Sequence, residues 1–324
     1  MTEMTYREAV KKALADELRS DPDVVFFGED VAEAGGAFKV TPGLWEEFGP
    51  DRVRDTPISE QAIVGTALGA AITGLRPVAE LMFADFIAVA MDQIVNQVAK
   101  YRYMSGGQFK VPLTIRSAQG GGAGFGTQHS QCAEGWLMNF PGIKVVVPST
   151  PADMYGLLRG AIREDNPVYV LEHKALYNMK GDVPDDLGPL PLGEAHVLRE
   201  GTDVTIVAVQ MMTHRSLAAA ETLATEGISC EVIDLRCMAP LDTETILESI
   251  KKTNRLVIVE EAPHSAGWGG DIASLAAKEG VYYLEAPVMR VNLGAALTPY
   301  SPPLEDAAIP NAERIADAVR HVMG

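Results

Sequence analysis

Glu60, His129 and the glycine-rich run ahead of that histidine are the residues whose types and spacing suit chemistry. The run Gln119-Gly-Gly-Gly-Ala-Gly-Phe-Gly-Thr-Gln128 exposes backbone N–H groups able to cradle an anion. It has no Gly-Lys-Ser/Thr ending, and no register gives Gly-x-Gly-x-x-Gly, so it is read as a flexible loop delivering Gln128-His-Ser-Gln131 into a cleft. An imidazole placed there titrates near neutrality and suits proton movement or stabilisation of an oxyanion; the plainer alternative is a hydrogen-bonded histidine without a special role. Glu60 sits in Asp55-Thr-Pro-Ile-Ser-Glu60 at the start of a helix, with Ser59 as candidate N-cap. A carboxylate in a first turn is favoured by the helix dipole alone, so both a structural and a chemical role are open. Glu80-Leu-Met-Phe-Ala-Asp-Phe86 joins a strand end to a helix, where open α/β sheets form ligand crevices. Met82, Phe83 and Phe86 can stack on a flat heteroaromatic ring or simply fill core.

These residues need a scaffold of alternating elements. Thr5 and Glu8 have the spacing of a capping box, and Tyr6, Ala9, Val10, Ala13, Leu14 and Leu18 recur with helical period, so a helix is expected to open the chain. Asp21-Pro22 breaks it, and Val24 to Phe27 reads as a buried strand. A small-residue helix over 60–74, a strand over 78–82, a long helix over 86–103 and strands over 113–115, 145–147 and 168–171 continue the order. Gly65, Gly69, Ala70 and Gly74 put small residues on neighbouring turns, for close packing inside the domain or at a subunit interface. The Pro-, Gly- and Asp-rich stretch 181–193 has no hydrophobic period and reads as a linker. Beyond it, strands over 204–209, 230–235, 256–259 and 288–291 alternate with helices near 213–225, 243–252 and 270–279. The fold class is therefore α/β, two parallel-sheet domains, 1–185 and 190–324.

Composition narrows the function classes. With 324 residues, 47% hydrophobic and 22% charged, the chain can bury a sizeable core. A net charge of −17 without a basic cluster argues against nucleic acid, and suits either solubility or a basic protein partner. The sequence has no apolar run of about 18 residues and no signal-peptide pattern, so no membrane partner and a cytoplasmic or equivalent location are expected. Cys132, Cys230 and Cys237 have neither the number nor the spacing of a disulfide framework or zinc site.

Thr56-Pro-Ile-Ser-Glu60, Gly74-Leu-Arg-Pro77, Asp92-Gln-Ile-Val-Asn96, Tyr103-Met-Ser-Gly-Gly107, Gln128-His-Ser-Gln131, Pro148-Ser-Thr-Pro151, Asp165-Asn-Pro167, Glu172-His-Lys174 and Pro302-Pro-Leu-Glu305 follow one another along the whole chain. In that order they closely resemble the beta subunits of pyruvate, branched-chain 2-oxo acid and acetoin dehydrogenases. The resemblance implies a transketolase-like pyrimidine-binding domain followed by a transketolase C-terminal-like domain. It also implies thiamine diphosphate as cofactor, an alpha subunit completing an alpha2-beta2 heterotetramer, and a lipoyl acyltransferase core docked by the acidic second domain.

Carried over residue by residue, Glu60 matches the glutamate that hydrogen-bonds the pyrimidine ring nitrogen, Met82 and Phe86 line that ring, and His129 matches a histidine serving intermediates and acyl transfer to the lipoyl arm. Leu113, Ala161, Ile162, Glu164 and Asn166 correspond to a potassium site of backbone oxygens. The alpha-type metal motif begins Gly-Asp-Gly, whereas Gly181-Asp182 and Gly270-Asp271 continue with Val and Ile, so magnesium and the diphosphate are expected on the alpha chain. The implied reaction is decarboxylation of a 2-oxo acid with acyl transfer to lipoamide; the alternative is cleavage of acetoin, toward whose enzymes the segments 80–86 and 172–180 lean. A nucleotide-binding dehydrogenase is opposed by the missing glycine fingerprint, and a non-catalytic scaffold by intact Glu60, Phe86 and His129.

Overall fold

The computed structural model describes residues 1–324. The chain divides into two compact units, Met1–Gln119 with Trp136–Leu192, and Gly120–Gly135 with Gly193–Gly324. The division differs from the expected 1–185 and 190–324 in two respects. Residues up to Leu192 stay with the first unit because Leu190 fills the space over Gly156 and Gly160, and its N–H donates to the Gly156 carbonyl at 2.9 Å. The glycine-rich segment 120–135 belongs to the second unit, where its N–H groups find buried carboxylate acceptors.

In the first unit the strands are β1 (Thr2–Thr5), β2 (Val24–Gly28), β3 (Val53–Asp55), β4 (Arg76–Phe83), β5 (Thr114–Gln119), β6 (Lys144–Val146), β7 (Val168–His173) and β8 (Lys180–Val183). Its helices are α1 (Tyr6–Ser20), α2 (Leu44–Phe48), α3 (Glu60–Ile72), α4 (Ile87–Asp92) and α5 (Ala99–Met104), then α6 (Glu134–Met138), which crosses the division, and α7 (Pro151–Arg163). The order β6-β7-β5-β4-β2-β3 is parallel throughout. Every residue of β5 and β7 is buried, as a parallel sheet covered on both faces requires. A separate antiparallel pair joins β1 to β8. The α1 capping box forms as its spacing predicts: Glu8 Oε2 accepts from the Thr5 N–H at 2.7 Å, and Thr5 Oγ1 from the Glu8 N–H at 3.2 Å. The expected helix over 86–103 is α4 and α5 joined by a π-helical stretch, Gln93–Val98. Gly65 faces the Gln93 side chain of that stretch, so one part of the small-residue face packs within its own unit; the space over Gly69 is open.

The second unit contains β9 (His196–Arg199), β10 (Val204–Ala208), β11 (Cys230–Asp234), β12 (Cys237–Ala239), β13 (Leu256–Val259) and β14 (Met289–Val291). Its helices are α8 (Gln210–Ala224), α9 (Thr243–Thr253), α10 (Gly269–Leu275), α11 (Pro302–Ala308) and α12 (Ala312–Met323). Its sheet runs β14-β13-β10-β11-β9, parallel except that β9 lies antiparallel to β11. Ile206, Val232, Val257, Leu223 and Val319 are all fully buried in one core cluster, each such side chain worth about 1.5–3 kcal/mol of transfer free energy. No helix is long and apolar enough to cross a membrane.

Candidate functional site

In the first unit, β3, β2 and β4 are neighbours and run parallel, so their carboxyl ends share one edge of the sheet. Glu60 opens α3, which follows β3; Glu29 follows the end of β2; Met82 lies near the end of β4 and Phe86 in the turn beyond it. The sheet thus gathers three of the sequence-predicted residues at the edge where parallel sheets open a crevice.

Glu60 is buried, 7% exposed, and Ser59 occupies the N-cap position without giving a side-chain cap bond. Glu29, which the sequence reading did not select, is also buried, and its Oε1 has no hydrogen-bond partner. Burial first, and then the negative charge of Glu60, hold the Glu29 carboxyl above its ordinary range. Burial and the charge of Glu60 together make ionisation of Glu29 harder, so Glu29 is the carboxyl group favoured to keep a proton. An acidic residue just past a central parallel strand was the available signal for Glu29.

Met82 and Phe86 are half-buried and so retain surface for a ligand, while Phe83 is buried. The Phe83 and Phe86 rings meet edge to face, centroids 5.8 Å apart, and Phe38 meets Phe83 at 5.3 Å. Phe83 therefore backs Phe86, separating the core reading from the ligand reading within one segment.

Below this edge lies a buried ion cluster. Arg116 is 1% exposed, pairs with Glu80, and holds Glu172 bidentately at 2.6 and 2.6 Å. The Tyr177 hydroxyl also donates to Glu172, at 2.9 Å. Burial raises the Glu80 carboxyl above its ordinary range, Arg116 opposes the rise, and Glu172 and Glu29 add to it. Glu29 thus responds to Glu60 and acts on Glu80.

His129 lies in the second unit, in the short 3-10 turn Thr127–His129. The loop before it is not free. Gly120, Gly122, Gly124 and Gly126 all have positive φ, between 71° and 84°, the alternation that turns successive N–H groups toward one concave side. The anion they cradle is the chain's own: Gly122 and Gly124 donate to Glu305 at 2.9 and 3.1 Å, and Gly121 to Glu261 at 2.5 Å. The expectation of a flexible loop is corrected accordingly, and the buried acceptors explain why this segment belongs to the second unit.

Of the residues that the resemblance links to potassium, Ala161, Ile162 and Glu164 lie at the end of α7, Asn166 just beyond it, and Leu113 immediately before β5. A helix C-terminus leaves carbonyl groups unpaired and carries the negative end of the dipole, which suits a cation. Arg76 already donates to the carbonyls of Ile162 and Glu164 at 2.9 and 2.9 Å, and Arg102 to Asn166 Oδ1 at 2.6 Å. The Leu113 carbonyl accepts from Val168 N–H at 2.9 Å and that of Ala161 from Glu164 N–H at 3.2 Å. Each carbonyl keeps a second lone pair, so a potassium ion there would have to share the Ile162 and Glu164 carbonyls with the guanidinium of Arg76.

The transketolase pyrimidine-binding domain matches residues 2–180, and the transketolase C-terminal domain residues 193–315. The pyruvate dehydrogenase E1 component subunit beta of Rickettsia felis is 47% identical over 320 residues, 99% of this chain and 98% of that protein. The acetoin:2,6-dichlorophenolindophenol oxidoreductase subunit beta of Bacillus subtilis is 45% identical, covering 98% of this chain and 96% of its own length. Among solved structures, a split gene transketolase, in an inactive beta4 tetramer, superposes with a TM-score of 0.80 at 27% identity, over 99% of this chain and 98% of that one.

Proposed function

Because this chain belongs to the transketolase-like family of beta subunits of thiamine-diphosphate-dependent pyruvate and acetoin dehydrogenases, we propose that it supplies the pyrimidine-binding half of an active site completed by an alpha subunit. The observation that carries the reading is the buried Glu60, next to an elevated Glu29 and on the same sheet edge as half-exposed Met82 and Phe86. These residues fit an aminopyrimidine, with apolar side chains for the flat ring and a carboxyl group for a ring nitrogen. Thiamine diphosphate, when bound, supplies a carbon nucleophile and an electron sink. Glu60 holds a proton at the pyrimidine ring nitrogen, and its burial keeps water from competing for that proton. Glu29, raised by burial and by the charge of Glu60, resists a second negative charge there. His129 stabilises oxyanionic character at the reacting carbon and moves a proton during transfer to the lipoyl arm.

The reaction that follows is decarboxylation of a 2-oxo acid, pyruvate foremost and branched-chain acids next, with the acyl group passed to lipoamide on the acyltransferase core. Similarity to the Bacillus subtilis acetoin chain supports a second reading, acetoin cleavage to acetaldehyde and an acetyl unit. Magnesium and the diphosphate fall to the alpha subunit in an alpha2-beta2 assembly. Ile58, Val89, Tyr103 and Met104, all more than half exposed on the first unit, are apolar surface that such a partner can cover. The acidity of the whole chain, −17, suits a basic docking segment of the core.

Reconstitution with the alpha subunit and thiamine diphosphate, followed by side-by-side assay of pyruvate, branched-chain 2-oxo acids and acetoin, tests the proposal. Highest kcat/KM is expected on pyruvate, and no turnover of any of the three would overturn it. In the same assembly His129→Ala should cut acyl transfer to the lipoyl domain about a hundredfold; unimpaired decarboxylation and acylation remove the role of His129. For potassium, thermal unfolding in KCl against choline chloride at equal ionic strength should show stabilisation of about 1.4 kcal/mol at ten times the dissociation constant. Equal melting temperatures across a potassium titration would leave Arg76 as the cation of that cluster.

A further inference from the structure

The segment Pro302-Pro-Leu-Glu305 carries a family pattern but has no task in the proposed reaction. Its glutamate is 2% exposed. A carboxylate so buried requires donors, and the first turn of α11 begins with two prolines, which have no N–H to offer. Its donors come instead from the glycine loop, Gly122 to Oε1 and Gly124 to Oε2. We infer that Glu305 is a positioning residue for His129: its carboxylate fills the anion nest of the loop and thereby fixes the turn that carries the imidazole. The inference rests on the role proposed above for His129.

The restraint is continuous from the carboxylate to the histidine. After Gly124, the Gly126 Cα lies so close to Tyr300 that an added Cβ would stand 3.2 Å from the ring. Thr127 Oγ1 then donates to the Thr298 carbonyl at 3.0 Å, and the His129 N–H reaches the Gly126 carbonyl at 3.3 Å. Upstream, Gly121 is held by Glu261, and a Cβ there would stand 2.6 Å from Ile309 Cδ1. One short stretch, Thr298 to Glu305, therefore grips the loop at three successive points. A loop with this much glycine has large backbone freedom to lose, so a catalytic side chain at its end needs such a grip.

The chemistry of the clamp suggests a nearly isosteric probe. A carboxylate accepts at both oxygens; an amide presents one acceptor and one donor, so Glu305→Gln must set an N–H against the N–H of Gly122 or Gly124. In the heteromer reconstituted with the alpha subunit and thiamine diphosphate, this variant should speed amide exchange across 120–131 at least about tenfold and lower kcat about tenfold, with KM within about twofold of the parent. Thr127→Val, which removes one grip without touching the nest, should move both readouts the same way by less. In the His129→Ala background Glu305→Gln should cost nothing further in kcat, because the group it positions is gone.

Losses that multiply in the double variant would assign Glu305 a structural role only and overturn the proposal. Unchanged exchange across the loop in Glu305→Gln would show that no clamp operates. If His129→Ala alone keeps full activity, the reading of His129 fails and the positioning role with it, while the exchange result still reports the clamp on its own.

Discussion

Glu60→Gln is expected to lower kcat of the assembled heteromer by about a hundredfold or more while leaving subunit assembly intact. Glutamine matches glutamate in shape, and position 60 is only 7% exposed, so the substitution changes the chemistry more than the packing. What it removes is a group able to give and take a proton at the pyrimidine. The competing account of Glu60 is purely structural, a negative charge in the first turn of α3. That is worth about 0.3–1 kcal/mol to the helix, so its loss would lower the melting temperature at neutral pH and spare the reaction.

The two accounts differ in the sign of the stability change. Glu29 has its folded-state pKa raised above the unfolded value, by burial and then by the charge of Glu60. A carboxyl raised in this way contributes stability that is fully present below its unfolded value and lost as pH rises through the folded one. Replacing Glu60 by glutamine removes the repulsive part of the rise, so less stability is lost at neutral pH. The variant should therefore melt at or above the parent temperature at pH 7, with the difference closing as pH falls toward the carboxylate range. An active variant with a lower melting point would assign Glu60 to the helix dipole instead.

The elements that the sequence places correctly are those whose signal is local. Val24 to Phe27 and Val168 to Leu171 are continuous apolar runs within their strands, and Thr5 with Glu8 is a capping box; each can be recognised within a few residues. The positions of Glu60, Met82 and Phe86 at a helix start and beside a strand end are local features too, but residue type left a structural role open for each, and the family strings supplied the functional one. His129 was legible as a residue, and the family strings supplied its role.

The restraint on its loop was hidden. The glycine N–H groups announce an anion, but their acceptors, Glu261 and Glu305, stand 140 and 183 residues away, and nothing in the loop says which carboxylates the fold will bring there. Glu29 was missed for a related reason, since what raises it, burial first and then the charge of Glu60 beyond the adjacent strand, is set by the fold. The π-helical stretch 93–98 likewise leaves no trace in hydrophobic period.

Arg116→Met should be among the most destabilising substitutions in the first unit. The guanidinium is the only cation among the hydrogen-bonded members of the cluster Glu80, Arg116, Glu172 and Tyr177. Methionine fills most of the space but leaves two carboxyl groups, 4% and 0% exposed, without their counter-ion. Breaking a buried pair from one side costs roughly 3–5 kcal/mol, a fall of roughly 10 °C for a unit of this size.

The loss should depend on pH with a definite sign. Glu80 is already raised by burial against the pull of Arg116, and removing the arginine raises it further. Stability contributed by its protonated form is complete below the unfolded value and disappears as pH rises, so the deficit should be largest near pH 8 and shrink toward pH 5. Replacing Glu80, Arg116 and Glu172 together by methionine should recover much of the loss, because no member of the ion cluster is then left buried without its counter-ion. Recovery should stop short of the parent, since the Tyr177 hydroxyl loses its acceptor at a cost of about 1–3 kcal/mol. A pH-independent deficit, or a triple variant as unstable as the single one, would mean that Arg116 acts by packing and not by holding the two carboxylates.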